Sequence, residues 1–335
     1  MSEGQAGQVS QAPEGRTPAN KQASWPRRLL RWIERVWSNP IVFKELRARV
    51  RGWRAAVILI AQLVVMSCFA SIIYYSVSES ATSMGSVTVG QMMGQALFYS
   101  TYMLLLVVVV FLSPAFTAGT ISGERERKTL DLLITTLIPT RSLVLGKLIS
   151  ALAYMVLLIL IALPIQSLAL MFGGVTLAEM LIGTLILLVT ALVMGSVGVF
   201  ISSLMKSSIW STVLTYATIL LMTIGLPIVV SILSGVLATM FYDHFEEMSW
   251  VSQAILIYTG GFLLCTNPFA VAVTSKLVED AEDTLFFWTT QVYSTQGNAH
   301  SILLVSPWVV YVLYGIAASA VLIACTVLVL RRKRG

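Results

Sequence analysis

The side chains best placed for specific polar contacts lie in one segment, Ile121–Lys147, between two long apolar runs. Glu124 stands three residues before Arg127 and four before Lys128, spacings at which opposite charges support each other on a helix surface. Ser122 can cap the start of this helix, because its hydroxyl can accept a hydrogen bond from an N–H of the first turn. The residue types therefore suit binding to a partner.

An apolar stripe is predicted to continue this charged helix. Four aliphatic side chains recur at i, i+3, i+4 and i+7: Leu130, Leu133, Ile134 and Leu137. Pro139 ends the helix, and Thr140 can cap the long apolar helix that follows. A loop that only solvates the chain and sets its orientation needs no such stripe, although that simpler interpretation stays open. The pattern favours an amphipathic helix that docks in a partner's groove.

Patterns that would indicate catalysis or a metal site are missing. There is no G-x-x-x-x-G-K-[ST] phosphate loop, since Gly146-Lys147 lacks the upstream glycine and the following hydroxyl residue. There is no H-E-x-x-H or G-x-S-x-G motif either, and the acidic residues around His244 fit a solvated loop better than a metal site. We therefore expect no catalytic residue, metal or cofactor in this chain. The three cysteines have no metal-binding spacing: Cys68, Cys265 and Cys325.

The elements that must position the charged segment are membrane spans. The chain has 335 residues, of which 57% are hydrophobic and 11% charged. Runs of about 20 apolar residues indicate spanning helices. Six runs meet this criterion: 55–77, 96–118, 143–172, 180–204, 209–240 and 307–330. The sequence predicts an all-α membrane protein with six transmembrane helices in residues 55–330. Because no ionisable residue is expected in the interior of a span, coupling to an ion gradient is disfavoured.

The basic residues predict the orientation. Of the 22 lysines and arginines, every one except Lys276 falls on one side of the predicted spans. By the positive-inside rule this side is cytoplasmic, so both termini, including the tail 331–335, are cytoplasmic. The opposite side is rich in acidic residues. The net charge of +6 is thus a signal of topology and gives no support to nucleic-acid binding.

The N-terminal region precedes the first span. Residues 1–24 have a composition typical of disorder, and residues 25–54 are predicted to form two amphipathic interfacial helices. The second helix begins with a cap at Asn39 and leads into the first span. Binding to anionic lipid and docking to a protein are both compatible with it. Its candidate contact residues are Asn39, Pro40, Lys44, Glu45, Arg47, Arg51 and Arg54.

Several residues predict local features of the bundle. Gly173 and Gly174 indicate a tight turn between spans three and four, and Gly225 with Pro227 indicates a bend in span five. Small residues in span four allow a neighbouring helix to approach closely: Ala191, Gly195, Ser196 and Gly198.

The external segment 241–306 is the largest piece between spans. Its apolar stretch 251–273 is interrupted by Gly260, Gly261, Asn267 and Pro268. A seventh span there would place the basic tail outside, so we expect one or two helices at the outer interface.

Two stretches resemble one family of membrane proteins. The stretch GERERKTLDLLITTLIPTRSLVLGK is similar to the segment between spans two and three of ABC-2 type ABC transporter permeases. Both have a glutamate-arginine start, a Thr-Leu-x-x-Leu core, a proline and a terminal Gly-Lys. NPIVFKELRARVRGWRA resembles the segment before span one in the same family, particularly in members with a separate ATPase.

The resemblance implies a half-transporter in the cell (inner) membrane that has no catalytic residues of its own. Its partners would be an ABC ATPase that holds ATP and Mg²⁺, a second permease protomer, and membrane lipid. An exporter is expected. The cytoplasmic coupling helix and its surroundings would be Glu124, Arg125, Glu126, Arg127, Lys128, Thr129, Asp131, Arg141 and Lys147.

A second function remains open at this point. The chain could be a membrane scaffold or mechanical transmitter that passes force from an ATPase to an external partner through 241–306. In either case, we expect replacement of Glu124 and Arg127 by alanine to uncouple the ATPase without preventing membrane insertion.

Overall fold

The computed structural model describes residues 53–80, 86–129, 140–241, 250–282, 284–293 and 299–332. The predicted amphipathic helices before the first span lie outside this part of the chain, except that Trp53 and Arg54 begin the first long helix. The candidate contact residues Asn39, Pro40, Lys44, Glu45, Arg47 and Arg51 also lie outside it and stay predictions.

Six helices in the described part of the chain are long and apolar enough to cross a membrane, which confirms the six predicted spans. They consist of α1 (Trp53–Ser80), α2 (Ser86–Thr117), α4 (Thr140–Phe172), α5 (Leu177–Leu204), the consecutive helices α6 (Ser208–Leu220) and α7 (Leu226–Phe241), and α10 (Pro307–Arg332). The shorter elements are α3 (Ser122–Glu126), α8 (Trp250–Leu264), α9 (Pro268–Glu282), β1 (Phe287–Tyr293) and β2 (Ala299–Val305).

Helix α5 is the centre of the bundle and packs against α2, α4 and α10. The predicted close approach at its small residues is confirmed, because a Cβ added at Gly198 would lie 2.1 Å from Thr117 Oγ1. Ser113 of α2 donates a hydrogen bond of 2.9 Å to the carbonyl of Ala191 across the same contact. The main core contains large buried side chains from α2, α4 and α5: Tyr102, Leu105, Leu106, Val109, Tyr154, Met155, Leu158, Ile159 and Leu187.

The predicted turn and bend are both present. Gly173 and Gly174 have φ angles of 83° and 80°, a left-handed conformation that glycine adopts without steric cost. Span five changes to a π-helical turn at Leu221–Gly225, which ends two residues before Pro227. Because proline has no N–H, the carbonyl of Thr223 loses its helical donor, and Asn267 Nδ2 donates to it at 2.7 Å instead.

Segment 241–306 contains two shorter helices, α8 and α9. With 15 residues, α8 is about 22 Å long, too short to cross a hydrocarbon core of about 30 Å. The fold is predominantly helical, as predicted, and β1 and β2 add one antiparallel hairpin in which Phe287 pairs with Val305. Both strands contain β-branched residues, such as Val292 and Ile302, which favour a strand conformation.

Candidate functional site

The short helix α3 follows α2 after a turn at residues 118–121. Ser122 does not cap this helix, contrary to the prediction. It lies inside the helix, and its hydroxyl donates to the carbonyl of Ala118 at 3.3 Å, because the preceding turn brings that carbonyl within reach. The helix ends at Glu126, and Lys128 has a left-handed φ of 59°.

The predicted single helix running from the charged residues into the apolar stripe is therefore wrong at Lys128, since a left-handed residue interrupts a right-handed helix. The stripe itself and Asp131 fall in residues 130–139, which lie outside the described chain. Thr140 is already the first residue of α4.

Helix α3 rests on the end of α5 through one hydroxyl group. Ser202 Oγ accepts hydrogen bonds from the backbone N–H groups of Ile121 at 3.0 Å and Ser122 at 2.9 Å. All three residues are fully buried. Since the first N–H groups of a helix have no partner within it, Ser202 supplies the acceptor that α3 needs.

Arg125 attaches the same helix to the last carbonyls of α5. Its guanidinium donates to the carbonyl of Met205 at 2.6 Å and to that of Ser203 at 3.0 Å. Carbonyl groups in the last turn of a helix lack helical donors and carry partial negative charge, so an arginine there is favourable. Arg125 thereby joins α3 to the link between α5 and α6.

Glu126 binds the start of α6. Its Oε2 accepts a hydrogen bond from the backbone N–H of Ser208 at 3.2 Å and another from the Ser208 hydroxyl. Ser207, which precedes α6, makes no capping hydrogen bond with its own side chain. A carboxylate at this helix start is also favoured by the helix dipole.

Glu124 connects α3 to α4 instead of pairing with Lys128. Its Oε1 lies 3.2 Å from the Nζ of Lys147, and its Oε2 accepts a hydrogen bond from the Thr129 hydroxyl. Lys147 also donates to the carbonyl of Thr120 at 2.9 Å. The predicted pair with Lys128 is not formed, since Lys128 leaves the helical path two residues after the helix ends.

Two charged side chains in the long apolar helices are buried. Lys147 is in the second turn of α4 and is only 6% exposed, while Glu179 is in the first turn of α5 and is 8% exposed. Each lies near one end of its helix. Each also has a partner of opposite charge, Glu124 for Lys147 and Lys276 for Glu179.

The structure divides the predicted contact residues into two groups. Glu124, Arg125, Glu126, Thr129 and Lys147 are engaged in contacts within the chain. Arg127, Lys128 and Arg141 are exposed, and we call these three residues the basic surface. Glu126 is exposed as well, but its carboxylate binds Ser208.

The residues at the end of α5 and the start of α6 that hydrogen-bond to α3 were not predicted. They belong to the run Ser202–Ser208, in which four of the seven residues are serine. Serines at the end of an apolar run were the available signal, because buried hydroxyl groups in such a position need partners.

Comparison with known proteins adds one match. A family model described as ABC-2 family transporter protein matches residues 39–333. The match includes every described helix and strand, and also the segment from Asn39 that precedes the first span. No curated protein matches the chain.

Proposed function

Because the chain belongs to the ABC-2 transporter family, we propose that it is the permease subunit of an ATP-driven exporter whose separate ATPase docks on the basic surface. Permeases of this family work with an ATPase subunit. In the proposal, ATP and Mg²⁺ bind to that subunit, and the end of the bundle that carries α3 faces the cytoplasm.

The observation that carries the proposal is the set of polar contacts around α3. Within five residues, this helix binds α4 through Glu124, the end of α5 through Arg125 and the start of α6 through Glu126. A displacement of α3 would therefore act on three spans together. A loop that only solvates the chain needs no such connections.

Mechanistically, the ATPase acts as a ligand that prefers one permease conformation. Closure of an ATPase pair on bound ATP would favour the conformation in which α3 fits it best, and this preference shifts the equilibrium between inward-open and outward-open states. The basic surface suits an acidic region of the ATPase. Charge complementarity of this kind speeds association and selects the partner.

The proposed assembly contains two permease protomers. The spans formed by α1 and by α6 with α7 are the least covered by the other helices. Only 11% of the residues in the most apolar stretch of each are buried. Their large exposed apolar side chains include Ile60, Tyr75, Ile209, Trp210 and Ile232. Such surfaces meet either lipid or a second protomer.

The first experiment is a detergent pull-down of the tagged chain from its native membranes, with and without Arg127→Glu plus Lys128→Glu. We expect an ATPase with a phosphate loop to co-purify with the wild-type chain and its recovery to fall at least about tenfold in the variant, as expected for several lost charge contacts. Arg331→Glu plus Arg332→Glu is the matched control, because these exposed arginines end α10 and change the charge equally.

The outcomes separate the alternatives. Loss of the ATPase in the Arg127 and Lys128 variant alone supports docking on the basic surface. Equal recovery in both variants contradicts that docking site. Recovery of external proteins without any ATPase would contradict the transporter proposal and favour a scaffold or mechanical transmitter.

A further inference from the structure

A second polar cluster lies at the other end of α5. Glu179, in the first turn of this helix, accepts a hydrogen bond of 3.0 Å from the Nζ of Lys276 in α9. The same ammonium lies 2.8 Å from a carboxylate oxygen of Asp280 and 5.3 Å from the centre of the Tyr99 ring. Lys276 thus connects α9 to both α2 and α5. Glu179 and Ser202 are 23 residues apart on α5, or about 35 Å, so this cluster is remote from α3.

Glu279 adds a second carboxyl group to the cluster. Its side chain is half-buried and lines one cavity together with that of Glu179. Two neighbouring carboxylates repel each other, and a proton on one of them relieves that repulsion. Lys276 relieves it only in part, because its ammonium is already shared between Glu179 and Asp280.

A cavity of about 40 Å³ lies beside these carboxyl groups. Tyr102 lines it, is 3% exposed, and has a hydroxyl group without a hydrogen-bond partner in the described chain. The buried hydroxyl of Ser275, also in the lining, has none either. One water molecule needs about 10–15 Å³ of cavity volume, so this cavity has room for a few waters. Unpartnered hydroxyl groups and adjacent carboxyl groups suit a polar, proton-exchanging ligand.

We propose that this cavity is a proton-binding site, at which one proton is held between Glu279 and Glu179 while α9 is docked on α2 and α5. Within the described residues, the titratable or charged groups around Glu279 are Tyr99 and Tyr102 from α2, Glu179 from α5, and Lys276 and Asp280 from α9 itself. The inference concerns the end of the bundle opposite α3, and it holds whether or not an ATPase docks on the basic surface.

The pKa of Glu279 agrees with this geometry. Burial, followed by the charge of Glu179, raises it from 4.5 to about 7. A carboxyl group whose pKa is raised in the docked state contributes stability that is fully present below about pH 4.5 and is lost as the pH rises through about 7. Deprotonation would leave two negative charges side by side, so α9 should dock less firmly at alkaline pH.

The direct test is infrared difference spectroscopy of the purified protein during a pH titration. The C=O band of a protonated carboxyl group should report about nine-tenths occupancy at pH 6 and about one-tenth at pH 8, for a group that titrates near 7. Glu279→Gln should abolish this band. A wild-type protein in which no carboxyl band titrates between pH 6 and 8 would overturn the proposal, and this result does not depend on how the variant folds.

Thermal unfolding supplies a second measurement. We expect the melting temperature of the wild-type protein to fall between pH 6 and 8, whereas Glu279→Gln should be nearly independent of pH in this range. Glu79→Gln is the matched control, because Glu79 is an exposed carboxylate that accepts a hydrogen bond from Tyr75 and should leave the wild-type profile unchanged. A Glu279→Gln protein that keeps the wild-type pH profile would overturn the assignment to Glu279.

Discussion

The ammonium of Lys147 lies 3.2 Å from Oε1 of Glu124, although the two residues are 23 positions apart in the chain. The side chain of Lys147 is 7% exposed and that of Glu124 is 30% exposed. A pair of this kind holds α3 against α4, so Glu124 has a partner within the chain. The two residues whose joint replacement was expected to uncouple an ATPase, Glu124 and Arg127, therefore have different environments.

Glu124→Gln should destabilise the protein by about 1–2 kcal/mol, because it leaves the buried ammonium of Lys147 without its carboxylate. The partial exposure of Glu124 keeps the cost below that of a fully enclosed pair. Adding Lys147→Met should cost less than the sum of the two single changes. Denaturant unfolding of the four proteins in detergent measures this coupling, with exposed Arg141→Gln as a control within about 0.5 kcal/mol of wild type. Simple additivity would show that the pair does not stabilise the fold.

Ser202→Ala should destabilise the protein by about 1–3 kcal/mol for each N–H that loses its acceptor, those of Ile121 and Ser122. Ser196→Ala is the control, since the buried Ser196 hydroxyl binds only the carbonyl of Leu192 in its own helix. Denaturant unfolding of both variants under the same conditions measures the difference in their stability. Equal stability of the two would mean that Ser202 does not hold α3.

Gly198→Ala should cost about 1–3 kcal/mol, because the new Cβ would lie 2.1 Å from Thr117 Oγ1 and push α2 away from α5. Gly235→Ala in α7 adds the same methyl group where no atom lies within 4 Å. The second change should be neutral or stabilising by up to about 1 kcal/mol, since alanine favours a helix over glycine. Melting temperatures that fall equally in both variants would contradict the packing argument.

Asn267→Asp should cost about 2 kcal/mol, even though aspartate is as good as asparagine at a helix start. The buried Asn267 accepts hydrogen bonds from the N–H groups of Phe269 and Ala270, which aspartate could also do. Its Nδ2 additionally donates to Thr223, and a carboxylate would place an oxygen there instead.

The same contact predicts a rescue. Pro227→Ala restores an N–H four residues after Thr223, so the cost of Asn267→Asp should fall in that background. Thermal unfolding of the wild type, the two single variants and the double variant completes a double-mutant cycle. An unchanged cost in the Pro227→Ala background would show that the bend in span five does not depend on Asn267.

The local features were accessible from the sequence because each depends on neighbouring residues. Runs of apolar residues predict the six spans, and the φ angles of Gly173 and Gly174 agree with their predicted turn. Gly225 and Pro227 likewise marked the bend, since proline removes a helical donor wherever it occurs. The helices α8 and α9 follow from the breakers between them and from the short length of α8.

What the sequence determined by itself was thus which stretches are apolar, how long they are and where they break. The partners of the polar residues were decided by tertiary structure. Helical spacing suggested Lys128 for Glu124, but the left-handed turn at Lys128 and the packing of α4 bring Lys147 there instead. Likewise, Ser202 meets α3 and Lys276 meets Glu179 only because α5 lies at the centre of the bundle. Spacing rules describe contacts within one helix, whereas a buried charge or hydroxyl group takes whichever partner the packing of several helices places beside it.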